Sequence, residues 1–213
     1  MKQIIVIFLF CLILVSCKET KNTESITGVA IDATVSAVVE KHIESVKELD
    51  EVKDKIQMYN NSISSESYQN DTLAFTTNEA TKKVIFKSFY YWFGDTLCID
   101  GAYGMFGGTG FCIKIIKGKA QLYHLLASDD FPTYAYNEKD SLIYRLEVPC
   151  TDTKIILSEL PDSTQKQIVF GYVEFKSKDF YSSSGSTDGK EDLPRIKSRN
   201  NMKIYFKSGY MSF

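Results

Sequence analysis

Residues 142–148, Leu-Ile-Tyr-Arg-Leu-Glu-Val, place Leu142, Tyr144, Leu146 and Val148 on one side of an extended chain, with Arg145 and Glu147 on the other. Successive side chains of an extended backbone point to opposite faces, so this spacing marks a strand with one buried and one wetter face. The pattern recurs. Met202, Ile204 and Phe206 alternate with Lys203, Tyr205 and Lys207; Phe111, Ile113 and Ile115 form a row opposed by Lys114; Val169, Val173 and Phe175 flank Gly171. Further strands are expected at 82–93, 96–99, 119–126 and 153–158. Lys117-Gly118 between two apolar runs reads as a tight hairpin turn. Pro149, Pro161 and Pro194 fall between the expected runs, where a missing N–H breaks no ladder. No helical stretch of 10–15 residues separates the strands, which argues against parallel βαβ units. The expected fold is therefore mainly β, an antiparallel β-sandwich or small β-barrel over residues 73–213.

Toward the N-terminus the period changes. Val35, Val38, Val39, Ile43, Val46, Leu49, Val52 and Ile56 recur at helical spacing, with Glu and Lys over much of the remainder. One long amphipathic helix is expected over 32–59, started by Asp32 or Thr34 as cap. At roughly 1.5 Å per residue it would be about 37 Å long. Residues 60–72 read as a polar connector, and 17–31 as a flexible tether.

The first 16 residues have the order of a secretory signal: Lys2, then an unbroken apolar run from Ile4 to Val15. A helical span needs about 20 apolar residues, so this run is too short to cross a bilayer. Its end, Leu14-Val15-Ser16-Cys17, resembles the lipobox of bacterial lipoproteins. The resemblance covers only residues 1–20, and the globular part resembles no family. It implies cleavage before Cys17, a diacylglycerol on the Cys17 thiol and a fatty acyl group, such as palmitate, on the new amino terminus. Several acyl chains hold a chain firmly to a membrane where a single one would not. Lys18-Glu19 partly resembles the export signal of Bacteroidota surface lipoproteins, although Thr20 stands where a second acid is usual. The implied location is the cell envelope, at the outer membrane, with the periplasmic and surface faces both open.

Composition narrows the rest. Across 213 residues, 25 Lys+Arg against 27 Asp+Glu give a formal charge of −2. Such a balance argues against nucleic acid as a partner. Aromatics at 13% argue against general disorder. With Cys11 in the signal and Cys17 lipidated, Cys98, Cys112 and Cys150 remain. Cys98 and Cys112 are the pair a disulfide would join, and two reduced thiols buried among apolar neighbours are the alternative. No Cys/His spacing suits a metal site, and no cofactor is expected.

Gly101, Gly104, Gly107, Gly108 and Gly110 crowd residues 101–110 without the Lys-Ser or Lys-Thr of a phosphate loop. A hairpin loop is expected there, with Tyr103 and Phe106 as its candidate binding side chains. Phe131, Tyr134 and Tyr136 cluster beside Pro132, either as binding anchors or as a cover over one end of the core. Residues 182–194 form a long polar insertion. His124 is the sole imidazole of the β region, and no Gly-x-Ser-x-Gly elbow presents a serine. The paired acids Asp129-Asp130 and Glu191-Asp192 read as solvated charge.

These features point to a lipid-anchored, non-catalytic envelope protein that binds or scaffolds, with a protein, peptide or glycan as ligand. An inhibitor or immunity-type protein-binding lipoprotein is the alternative. A hydrolase using His124 or the paired carboxylates is a third.

Overall fold

In the computed structural model, residues 26–44, 62–77, 86–104, 107–183 and 194–212 are described. The elements in chain order are β1 (Ala30–Ile31), α1 (Val35–Glu44), β2 (Ser62–Gln69), β3 (Thr72–Thr77), β4 (Phe86–Phe93) and β5 (Thr96–Tyr103). There follow β6 (Gly108–Ile116), β7 (Lys119–Ala127), β8 (Tyr134–Ala135), β9 (Arg145–Leu157), β10 (Val169–Ser177), β11 (Phe180–Ser182) and β12 (Ile196–Tyr210). Among the described residues the fold is mainly β, with one helix of ten residues.

Hairpins join β4 to β5, β5 to β6 and β6 to β7, each antiparallel. Residues 145–149 of β9 continue onto β7, and residues 150–157 turn to β10. β10 pairs with β12, whose last residues, Gly209 and Tyr210, pair in parallel with Phe89 and Tyr90 of β4. The path of hydrogen-bonded neighbours thus returns to its start. The β2–β3 hairpin lies on the free edge of β12. With β1 also parallel to β9, the sheet is mixed rather than wholly antiparallel.

Several boundaries differ from the sequence reading. Pro149 lies inside β9, not between strands: it is the last residue on β7 before the strand transfers to β10. A residue without an N–H is tolerated where one ladder ends. Residues 62–72, read as a connector, form β2 and the turn into β3, so strands begin before residue 73. The turn uses Asn70 and Asp71 at φ 47° and 64°, values that short polar side chains tolerate better than most. The tether is shorter than 17–31, because Thr27 bridges Lys119 and Ala30–Ile31 pair with Ile156–Leu157. The glycine-rich hairpin is also tighter, since β5 runs to Tyr103 and β6 starts at Gly108.

The inner faces of the circuit make one core that includes Tyr90, Leu97, Ile99, Phe111, Ile113, Val173, Ile204 and Phe206. Burying each such large side chain contributes about 1.5–3 kcal/mol. A Cβ at Gly171 would overlap the Phe206 ring, so this glycine makes room for that phenylalanine to lie against Phe111 at 4.7 Å between centroids. A smaller cluster of Leu126, Leu146, Val148 and Phe180 fills the end where β7 finishes.

α1 begins at Val35, three residues after the expected start at residue 32. The Asp32 carboxylate accepts the Thr34 N–H at 2.9 Å and its hydroxyl at 2.6 Å. Val35 and Val39 bury against Tyr172, with Ile156, Phe170 and Tyr205 around them. His42 stacks on Tyr205 at 3.9 Å. The expected continuation of the helix to residue 59 lies outside the described residues.

The strands define two ends. At one lie the turns at 94–95 and 117–118 and the loop 158–168, which closes the core there as its Gln165 and Gln167 carbonyls accept the Tyr90 hydroxyl. Thr27 enters at this end, its N–H donating to Gly118 O at 2.9 Å. At the other lie the 104–107 turn and the long connection from β7 to β9 through Tyr134.

Candidate functional site

The end remote from Thr27 gathers two of the expected site residues. Tyr103 ends the inner row of β5, and Tyr134 covers the Leu126–Phe180 cluster with its ring at 6.4 Å from that of Phe180. Burial pushes both phenols above their ordinary pKa, a shift eased at Tyr103 by its bond to Ser65 and reinforced at Tyr134 by nearby Tyr103. Phe131 is half-buried, and its carbonyl accepts the Thr133 hydroxyl at 3.0 Å. Tyr136 goes elsewhere: it is exposed, and its hydroxyl donates to the Glu147 carbonyl at 3.1 Å. Phe106 and Cys17 lie outside the described residues, as do Glu191 and Asp192. Asp129 accepts the Gly107 N–H at 2.8 Å and so fastens the glycine-rich turn.

His124 lies deeper at the same end, fully buried between the rings of Phe175 and Phe180 at 5.9 and 5.7 Å. Its Nε2 is 2.6 Å from Thr109 Oγ1 and 3.3 Å from Asn200 Nδ2. Burial drives its pKa down to about 3. A neutral ring whose Nε2 accepts from both neighbours satisfies these contacts. Nδ1 has no partner, so no carboxylate orients the ring. A general base works best with a pKa near the operating pH, and this ring is far below it. Thr109 and His124 therefore form a hydrogen-bonded core pair, without the third member of a nucleophilic triad.

The outward face of β4, β5, β6, β7 and β9 carries a cluster that the sequence does not announce. Asp100 is buried on it, with the Tyr91 hydroxyl at 3.4 Å and the Arg145 guanidinium at 3.7 Å from Oδ2. Arg145 also reaches Glu147 at 3.6 Å, and Glu147 pairs with Lys114, whose ammonium lies 5.1 Å from the Tyr123 ring centre. Burial raises the Asp100 pKa, against the opposing bond from Cys112 and the charge of Arg145, and Oδ1 has no partner. The local signal was faint: one acid between Ile99 and Gly101, at an alternate position to Cys98.

The disulfide considered between Cys98 and Cys112 is not formed; both are free thiols. Cys98 stands opposite Lys114 and Cys112 opposite Asp100, so the two are diagonal rather than facing. Diagonal neighbours lie about 7–8 Å apart, beyond ordinary disulfide geometry. Burial raises the pKa of all three remaining thiols, Cys150 to about 12. Such thiols stay protonated and unreactive.

A groove of about 420 Å³ crosses β2, β12 and β10 beside Asp152. Its charges satisfy each other: Lys176 with Asp152 at 2.9 Å, Lys203 with Glu174 at 3.2 Å, and Glu66 accepting from Tyr68 and Asn201. Among the described residues no group of His, Cys, Asp and Glu is arranged to hold a metal ion. Among them, too, no helix is long and apolar enough to cross a membrane, which says nothing of strands.

No protein-family model matches the chain, and no curated protein or solved structure is similar to it at a significant level.

Proposed function

We propose that this protein is a lipid-anchored component of the bacterial cell envelope, held at the outer membrane by acylated Cys17, with a non-catalytic binding or scaffolding role. The observation that carries the reading is the order Lys2, Ile4–Val15, Leu14-Val15-Ser16-Cys17. Its spatial counterpart is Thr27, which roots the N-terminal segment beside the 117–118 turn, at the end opposite Tyr103 and Tyr134. A body tethered in this way turns its aromatic end away from the lipid. The closed pairing circuit favours a small barrel over two separate sheets. A packed His124 and protonated thiols favour binding over catalysis.

A second reading rests on β3. Among the described residues it pairs on one side only, and Leu73 and Phe75 are exposed on it. An open edge with apolar side chains suits addition of a partner strand, the mode an inhibitor or immunity-type protein would use.

Fractionation of cells expressing the wild-type chain and Cys17→Ser tests the anchor, and crosslinking from intact cells tests the binding role. We expect the wild type in the outer-membrane fraction, the variant out of it, and a crosslinked partner or glycan lost in Tyr103→Ala/Tyr134→Ala. Loss of the partner in Phe75→Asp instead would favour the strand-edge reading. Unchanged fractionation of Cys17→Ser would refute the anchor.

A further inference from the structure

The tether end presents a row that crosses four strands in register and is exposed at Phe93, Ile116 and Lys119. Phe93 is opposite Thr96, Thr96 opposite Ile116, and Ile116 opposite Lys119. All four continue the outward rows of their strands, since Tyr91, Cys98, Lys114 and Gln121 precede or follow them at two-residue spacing. Phe93 is 80% exposed and Ile116 40%. Single exposed apolar residues are ordinary on a soluble surface. Here two stand about 10 Å apart, two strand spacings, at the rim of one sheet. Lys117 and Lys119 are exposed beside Ile116, and the only exposed acid in the adjoining 94–95 turn is Asp95.

The two turns hold this row out. Lys117 and Gly118 have φ of 48° and 72°, the signature of a two-residue type I′ turn. Nothing lies within 4 Å of where a Cβ of Gly94 or Gly118 would stand, so both turns have open space on that side.

The chain leading to Cys17 ends beside the same row. Thr27 bridges Lys119, and the Ala120 N–H donates to Thr27 O at 3.0 Å. About ten residues separate Thr27 from Cys17. Ten residues span at most about 36 Å. A lipid at Cys17 would thus keep the row within a short distance of headgroups. At such an effective concentration a weak contact is largely occupied.

We infer that the Phe93–Thr96–Ile116–Lys119 row is a membrane-contact surface, laid against the bilayer that carries the Cys17 lipid. Phe93 and Ile116 enter the boundary between headgroups and acyl chains, and Lys117 and Lys119 meet lipid phosphates. The inference rests on acylation of Cys17 and adds an orientation to it: the body stands with strands β4 to β7 end-on to the membrane and its aromatic end outermost.

The test uses the mature, lipidated chain carrying Cys150→Ser and one environment-sensitive nitrobenzoxadiazole label, at Phe93→Cys or, as the remote control, at Tyr136→Cys. Each is mixed with vesicles of phosphatidylethanolamine and phosphatidylglycerol, 3:1 or so by mole, and co-flotation is read beside fluorescence. We expect both proteins to float, with the label at 93 brightening about two-fold or more and quenched by brominated acyl chains, and the label at 136 unchanged. Adding Ile116→Glu should abolish the brightening but keep flotation and the melting temperature. Flotation with a label at 93 that stays in water would overturn the contact surface and leave the anchor standing. Failure of the lipidated chain to float would overturn both. Brightening at 93 that follows protein concentration without vesicles would assign the row to a second copy of the chain and overturn the membrane assignment.

Discussion

The two ends of the β body are built from the same strands and solve opposite problems. At the Thr27 end, two-residue turns stop the strands abruptly, and the last outward residues, Phe93 and Ile116, are left in solvent. At the other end, the connection from β7 to β9 folds Tyr134 back over Leu126, Leu146, Val148 and Phe180, with His124 below it in the core. Phe180 is thus an anchor of stability at one end, and Phe93 a free surface at the other. What decides is the connection beside each: the two-residue 94–95 turn has no side chains to spare for a cover over Phe93, whereas the inner face at the same end is closed by the longer 158–168 loop.

The sharpest test of this contrast pairs two phenylalanines. Phe180→Ala should cost about 3–5 kcal/mol in urea unfolding, as expected for a large side chain removed from a packed core. Phe93→Ala should stay within about 0.5 kcal/mol of the wild type. Similar losses at both would break the comparison.

Acid should also separate the ends through His124. Its folded pKa of about 3 lies below the unfolded 6.5, so between these values the unfolded chain binds the extra proton. Stability is complete above pH 6.5 and declines as pH falls toward 3, by about 2 kcal/mol at pH 5 from this group. His124→Gln should flatten that slope in melts recorded between pH 7 and 5, even if its overall stability drops.

Turn strain gives a smaller effect. Gly118→Ala puts a side chain at φ 72° and should cost about 1 kcal/mol, measured by thermal unfolding, without loss of the fold. The smallest change is expected at Asp100. Its raised pKa means that the charged form is disfavoured in the folded state. Asp100→Asn should therefore stabilise at neutral pH by less than about 1 kcal/mol. The advantage should shrink as pH falls through the folded pKa toward 3.8, where the wild-type group is protonated. A variant less stable than wild type at pH 7 would show instead that Arg145 and Tyr91 outweigh the burial.

The alternation of Phe111, Ile113 and Ile115 or of Met202, Ile204 and Phe206 was legible because each row meets one apolar interior. β2 was not, since Ser62-Ile63-Ser64-Ser65 buries mostly small hydroxyls and gives little apolar contrast. The single strand β9 read as two because Pro149 and Thr151-Asp152-Thr153 look like a break; Asp152 does take φ 50° there, yet the chain stays extended on either side. Tyr103 and Tyr134 could be named from composition, but their approach depends on β5 running four residues past its expected end. Tyr136, one alternation step from Tyr134, is directed to Glu147 instead. The Asp100 cluster was invisible for a different reason. Burial of an outward face comes from side chains of five strands at once, and no local pattern records it.

Acylation of Cys17 remains the premise on which the orientation of the two ends depends. Mass spectrometry of the intact mature protein, purified from its membrane, measures it directly. We expect a chain beginning at Cys17 and heavier than its amino-acid mass by a diacylglycerol and a further acyl group. A mature chain that retains residues 1–16, or that begins at Cys17 without added lipid mass, would contradict the account.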